Sequence, residues 1–169
     1  IGVTCAKVSE AEVVIRAGAQ DVLIANQIVS PPKIKRLVEL AKESDIKVAV
    51  DSAANISALS TMAVENKVNI GVLVEVNIGH NRCGVAPFEP TLELVQLIEK
   101  TNGVIFRGLM GYDGHRTLKI HTDKREAEAK KANSLLVEVK DFIEAAAIEV
   151  PIVSASGTFT YRYATQIEG

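Results

Sequence analysis

Val72-Leu73-Val74-Glu75-Val76-Asn77-Ile78-Gly79-His80-Asn81-Arg82-Cys83-Gly84-Val85 is the run on which the fold turns. Its first seven residues are apolar at nearly every place, the pattern of a strand covered on both faces, as in a parallel sheet wrapped by helices. Alternation along a strand sets Glu75 and Asn77 on the face opposite Val74 and Val76, so both polar side chains are expected to point into a barrel. A carboxylate in such an interior is costly unless it is paired. Arg82, at the mouth of the same strand, is the cation the sequence offers it. A solvated strand end with an incidental ion pair has the same spacing, so position alone leaves both readings open.

Working outward, further β-branched runs alternate with segments of helical period. The pattern predicts strands over Gly2 to Ala6, Asp21 to Ala25, Lys47 to Asp51, Val72 to Ile78, Phe106 to Gly111 and Ile148 to Ser154. Ile34, Leu37, Val38 and Ala41 form one helical stripe, and Ala132, Leu135, Val139 and Phe142 another. Ser9 with Glu12 has the spacing of a capping box, and Ser30-Pro31 that of an N-cap followed by proline at the first helical position. An open dinucleotide-binding sheet wants a glycine-rich turn after its first strand. Here that strand runs into Cys5-Ala6-Lys7-Val8-Ser9, so the expected class is α/β, a partial TIM (β/α) barrel. Eight units typically need about 250 residues. Six strands in 169 residues, with Ile1 opening inside an apolar run, read as a fragment with about six of the eight βα units, two strands missing.

A net charge of -2 and 4% aromatic residues offer no field or stacking surface for nucleic acid. The apolar stretch near Val68 to Ile78 is interrupted by Asn69, Glu75 and Asn77, whereas a bilayer-spanning helix needs roughly 20 apolar residues. Neither nucleic acid nor membrane is an expected partner. Cys5 and Cys83 lie far apart with no metal-ligand spacing, and a cytoplasmic location is the default.

Active sites of such barrels are built at the carboxyl ends of the strands. Gly108 to His115, GLMGYDGH, places Tyr112, Asp113 and His115 at that rim, with Gly111 and Gly114 leaving room for a ligand to approach the backbone. Tyr112 is suited to a flat ligand, and His115 to acid, base or ligand chemistry; a solvated loop histidine has the same sequence. Ser154 to Tyr161, SASGTFTY, offers the hydroxyls of Ser154, Ser156, Thr158 and Thr160 and backbone N–H groups around Gly157, where barrels hold phosphate. A helix-capping turn would use the same residue types. Asp51-Ser52 reads as an N-cap, Asn26 and Gln27 as rim residues, and Lys119 to Lys131 as a solvated mixed-charge face.

GVTCAK, VEVNIGHNRCGV, GLMGYDGH and SASGT, in this order and each at a strand end, resemble the alanine-racemase-type (fold-type III) pyridoxal-phosphate (PLP) barrel. Within it they are most similar to D-threonine aldolase and D-serine dehydratase. The resemblance implies that residues 1–169 are the central part of a PLP-binding N-terminal barrel. The resemblance further implies that the first and last strands and a C-terminal β-rich domain lie outside these residues and that the Schiff-base lysine lies upstream of Ile1, so no catalytic residue is assigned. It implies that Arg82, in its GxxRCG setting, contacts the phenolic oxygen of PLP. Tyr112 would lie beside the pyridine ring, and Ser156, Gly157 and Thr158 would form part of the phosphate grip, with Glu75 and His115 in support. Lys7 ends the wrong strand to bear the cofactor. A divalent metal, Mn or Zn, would sit in the β-rich domain, so no metal ligand is assigned here. The implied activity is lyase chemistry in D-amino acid metabolism: cleavage of D-3-hydroxy-amino acids to glycine and an aldehyde by a full-length protein, a homodimer, this fragment being inactive. Alternatives are a D-serine dehydratase, an amino-acid racemase, or a non-catalytic PLP carrier.

Overall fold

The computed structural model describes residues 2–114 and 122–169. Its strands are β1 (Val3–Cys5), β2 (Asp21–Gln27), β3 (Asp45–Val50), β4 (Ile70–Glu75), β5 (Val104–Gly111) and β6 (Ile152–Ala155). Its helices are α1 (Val8–Arg16), α2 (Pro31–Leu40), α3 (Ala53–Glu65), α4 (Glu89–Glu99), α5 (Thr122–Ala145) and α6 (Tyr161–Ala164). Each predicted strand is present. The sixth starts later than expected because Ala147 turns the chain at φ 61° and Pro151 has no N–H to give a ladder. Pairing follows the chain, β1-β2-β3-β4-β5-β6, and the pairs β1–β2, β2–β3 and β5–β6 are parallel. A doubly wound sheet reverses its strand order at a switch point; sequential parallel neighbours joined by helices are the connectivity of a partial (β/α) barrel.

The chain forms two compact units, Ile1–Leu73 with Leu94–Arg107, and Val74–Glu93 with Gly108–Gly169. In the first, Ile34, Leu37 and Val38 of α2 are buried, as their helical spacing requires, together with Ile46, Val48 and Val50 of β3. Each such side chain contributes about 1.5–3 kcal/mol on leaving water. Helix entries differ in part from expectation. Ser30 is the N-cap before Pro31, and Ser52 caps α3 by accepting the Asn55 N–H at 3.3 Å. At α1 the box shifts by two residues: Lys7 is the N-cap, and the Glu10 carboxylate accepts the N–H groups of Ala6 (2.7 Å) and Lys7 (3.2 Å). Glu12 is drawn away by Arg36, which donates to it at 2.6 and 2.7 Å.

In the second unit the buried face of α5 is Ala129, Ala132, Leu136, Val139 and Ile143. The expected stripe is therefore right at Ala132 and Val139 and one residue off at the other two. Phe142 instead meets the edge of Phe88 (ring centroids 5.6 Å apart), and Leu135 lines a cavity of about 470 Å³ with Asn77, Ile78 and Pro87.

Lys47, buried on β3, donates to Asp21 (2.9 Å) and Asp45 (2.7 Å). Burial pulls its pKa down, but the bonds to Asp45 and Asp21 outweigh this and leave it raised. Asp21 is held below its ordinary value by the Lys47 hydrogen bond, against the upward pull of burial. With its folded pKa depressed, Asp21 contributes fully above the unfolded carboxylate value of about 3.9 and loses that contribution as pH falls through the folded value. Thermal denaturation between pH 5 and pH 3 is thus expected to show a steeper fall in Tm for the wild type than for Lys47→Met.

Candidate functional site

The loop after β4 is built by one amide. Asn77 Oδ1 accepts the N–H groups of Gly79 (3.1 Å) and Asn81 (3.0 Å), and its Nδ2 donates to Asn81 Oδ1 (2.9 Å). Asn77 is therefore spent on the loop and does not serve a barrel interior, because a short polar side chain finds nearby backbone donors first. The chain then returns beside its own strand: Val85 N–H donates to the Glu75 carbonyl (2.9 Å), and Asn77 N–H to the Val85 carbonyl (2.8 Å). Gly84, at φ 91°, is the tight point; a Cβ there would lie 2.7 Å from Asn77 N. The residues between present His80 and Arg82.

Tyr112 follows β5 and is 39% exposed, which leaves its ring largely outside the core. The Arg82 guanidinium carbon lies 5.8 Å from the centre of that ring. His80 meets the ring edge-on at 5.6 Å. Burial pushes the His80 pKa down, and the positive charge of Arg82 adds to the effect, so the imidazole is neutral at pH 7. On another side, a Cβ added to Gly157 would stand 3.4 Å from Tyr112 Cε2. Arg82 and Gly157, far apart in sequence, thus meet around one tyrosine ring.

The glycines near Tyr112 serve packing. A Cβ on Gly114 would run into the Tyr112 ring, and one on Gly111 would press on Ile78 and Leu136 at 3.0 and 3.1 Å. They make room for protein atoms where the sequence suggested a ligand. Asp113 is fully buried and accepts from Thr160 Oγ1 (2.9 Å) and Asn133 Nδ2 (3.2 Å). The 156–160 turn is held from within: Ser156, at φ 73°, donates its hydroxyl to Asn133 Oδ1 (3.2 Å), and Gly157 N–H donates to Thr160 Oγ1 (3.2 Å). Among the described residues, the N–H groups of Thr158 and Phe159 donate to no protein acceptor. Exposed amides beside an aromatic ring and a guanidinium form a donor set suited to a flat, phosphate-bearing ligand.

Glu75 is 6% exposed at the end of β4. His115 lies outside the described residues. Lys7 ends β1 as the N-cap of α1, in the first unit, and Asn26 orders that rim by donating to the Ala6 carbonyl (3.3 Å). Sequence reasoning passed over His80 and Asn133. His80 stands two residues before Arg82 in the same motif. Asn133 is a polar residue on the buried face of α5, and that interruption of an apolar stripe is the signal that marks it.

A family described as alanine racemase, N-terminal domain, matches residues 2–167. A 3-hydroxy-D-aspartate aldolase of Paracoccus denitrificans is 35% identical over 167 residues, 96% of this chain and 42% of the relative. A D-threonine aldolase of an Arthrobacter species is 34% identical over 157 residues, 93% of this chain and 41% of the relative. The crystal structure of a D-threonine aldolase from Filomicrobium marinum matches with a TM-score of 0.93 at 36% identity, covering 98% of this chain and 45% of that one. The chain spans less than half the length of these three relatives. Among the described residues no helix is long and apolar enough to cross a membrane.

The Arg82 loop depends on the absence of a side chain at Gly84. Gly84→Ala is expected to destabilise the protein by about 1–3 kcal/mol, read as a lower urea midpoint with an unchanged m-value.

Proposed function

Since the chain belongs to the alanine racemase N-terminal domain family, we propose that residues 1–169 are the central part of a PLP-binding barrel. The whole protein is a lyase that cleaves D-3-hydroxy-amino acids to glycine and an aldehyde. The observation that carries this reading is the meeting of Arg82 and Gly157 around the ring of Tyr112; Gly157 is next in the chain to the Thr158 and Phe159 amides, which donate to no acceptor among the described residues. An exposed arginine on an exposed tyrosine adds little to a core, about 0.5–1 kcal/mol. As a ligand seat the same pair is well placed. Two of the similar proteins are named as aldolases of D-3-hydroxy-amino acids, and the reaction class is carried over from them.

In this reading Arg82 donates to the ring oxygen of PLP and positions it. Tyr112 lies beside the pyridine ring and excludes water from that side. Gly157 and Thr158, supported by Ser156, would form the turn that holds the phosphate. Glu75, buried at the foot of the Arg82 loop, supplies the negative charge that balances Arg82, and His115 has a supporting role as a proton carrier. When bound, PLP supplies an electron sink for cleavage of the Cα–Cβ bond. The cofactor-bearing lysine and a divalent metal, Mn or Zn, belong to other parts of the full-length protein, a cytoplasmic homodimer.

The test is turnover of D-threonine and D-3-hydroxyaspartate by the full-length protein, with and without Mn²⁺ or Zn²⁺. Glycine and aldehyde are the expected products. Keto acid with ammonia would make it a dehydratase, and no turnover of any D-amino acid would favour a PLP carrier. Arg82→Ala removes one charge-assisted hydrogen bond of about 1.5–3 kcal/mol, so kcat/KM is expected to fall roughly 10- to 100-fold. Reduction of the PLP-loaded protein with borohydride, followed by peptide mapping, is expected to leave Lys7 unlabelled; a label at Lys7 would refute the assignment.

A further inference from the structure

Beginning at the residue after Tyr112 is a buried polar cluster. Asp113 and Thr160 are 0% exposed and Asn133 is 4% exposed. A carboxylate in that position is tolerable only if its oxygens accept hydrogen bonds. Thr160 Oγ1 at 2.9 Å and Asn133 Nδ2 at 3.2 Å supply them. Asp113 accepts at both oxygens, and this sets the direction of the bonds behind it. The single Thr160 proton points to Asp113, and the Thr160 oxygen is left to accept Gly157 N–H at 3.2 Å. Asn133 turns its amide nitrogen to Asp113 and to the Ala129 carbonyl (2.8 Å), and its oxygen to the Ser156 hydroxyl (3.2 Å). Flipping that amide would set its oxygen against two acceptors, so the orientation has no alternative.

The cluster connects three elements. Asp113 is the neighbour of Tyr112, Asn133 belongs to α5, and Thr160 and Ser156 flank the turn that carries Gly157, Thr158 and Phe159. Ser156 O–H and Gly157 N–H both donate inward, while the amides of Thr158 and Phe159 do not.

We propose that Asp113, Asn133 and Thr160 are positioning residues that lock the 156–159 turn against Tyr112, so that phosphate is gripped by the amides of Thr158 and Phe159 and Ser156 acts only through the turn. This rests on the cofactor reading above and assigns the donors within it. A strained residue such as Ser156 persists only where its surroundings hold it, and the Asn133 amide is what holds it here.

The test measures binding of pyridoxine 5′-phosphate and of pyridoxine by calorimetric titration of the full-length protein. Neither ligand has an aldehyde, so covalent attachment does not enter. Thr160→Val deletes one hydroxyl at nearly constant volume and leaves Gly157 N–H and Asp113 each short of a partner. It is expected to weaken pyridoxine 5′-phosphate about tenfold or more and pyridoxine less than about twofold, with an unchanged circular dichroism spectrum. Thr160→Ser, which keeps the hydroxyl, is expected to restore binding to within about threefold. Ser156→Ala removes no donor aimed at the ligand and is expected to cost about two- to fivefold. Should Thr160→Val unfold, the serine and alanine variants decide between the outcomes. A wild type that prefers the phosphorylated ligand, with a preference that survives Thr160→Val, overturns the inference alone. So does a loss of about a hundredfold in Ser156→Ala, the mark of a direct phosphate donor. A wild type with no preference for the phosphorylated ligand sinks the cofactor reading as well.

Discussion

The side chain of Asp113, buried and accepting from both Thr160 and Asn133, is the fixed point to which the candidate site is referred. Leaving it unbonded would cost more than any one contact around it returns, so Thr160 and Asn133 have no freedom to turn elsewhere. Through them the direction of each donor in the 156–160 turn follows, and with it the choice of which amides face outward. Tyr112 is carried on the residue before this anchor. The ring and the turn therefore share one support, and the gap between them is set by packing, as the 3.4 Å approach of a Gly157 Cβ to the ring expresses.

The loop after β4 obeys the same logic with a different side chain. Asn77 turns its amide back on the backbone of Gly79 and the side chain of Asn81, and the chain re-enters beside Glu75 and Asn77 through Val85. Asn77 is spent on holding the loop, and Asp113 on the side chains of Thr160 and Asn133. Those left outside, Arg82 and Tyr112, are free for a ligand. Loops fixed on a rigid parallel sheet are where barrels place their chemistry. In the first unit the comparable charged group, Lys47 with Asp21 and Asp45, bridges β2 and β3 and takes a structural part.

Period and composition made the architecture legible. The apolar run opening at Val72 read as a strand covered on both faces, although β4 ends at Glu75 and not at Ile78 because Asn77 turns to the loop, and the missing glycine after Cys5 removed the open dinucleotide sheet. The same reasoning placed Arg82, Tyr112 and Gly157 at strand ends, and the four motifs together carried the family resemblance. What stayed hidden depended on side chains choosing between near-equal partners. Glu12 and Glu10 are both spaced to cap α1, and Arg36, twenty-four residues beyond Glu12, decides which one does. Leu135 and Leu136 fit a helical stripe equally well until Asn77 and Pro87 give the former another neighbour. The role of Asp113 required knowing that Thr160, far along the chain, folds back onto it. Gly111 and Gly114 looked like room for a ligand because a sequence shows that space is needed without showing what fills it.

The central claim is that one ring and one turn, held by a common buried anchor, form a seat for a flat phosphate-bearing cofactor. A crystal structure of the full-length protein with pyridoxine 5′-phosphate tests it most directly. The account predicts phosphate oxygens at hydrogen-bond distance, about 2.7–3.2 Å, from the amide nitrogens of Thr158 and Phe159, with the ring against Tyr112 and its hydroxyl oxygen facing the Arg82 guanidinium. Phosphate bound away from residues 156–159, or a pyridine ring that leaves Tyr112 and Arg82 stacked on each other and untouched, would contradict it.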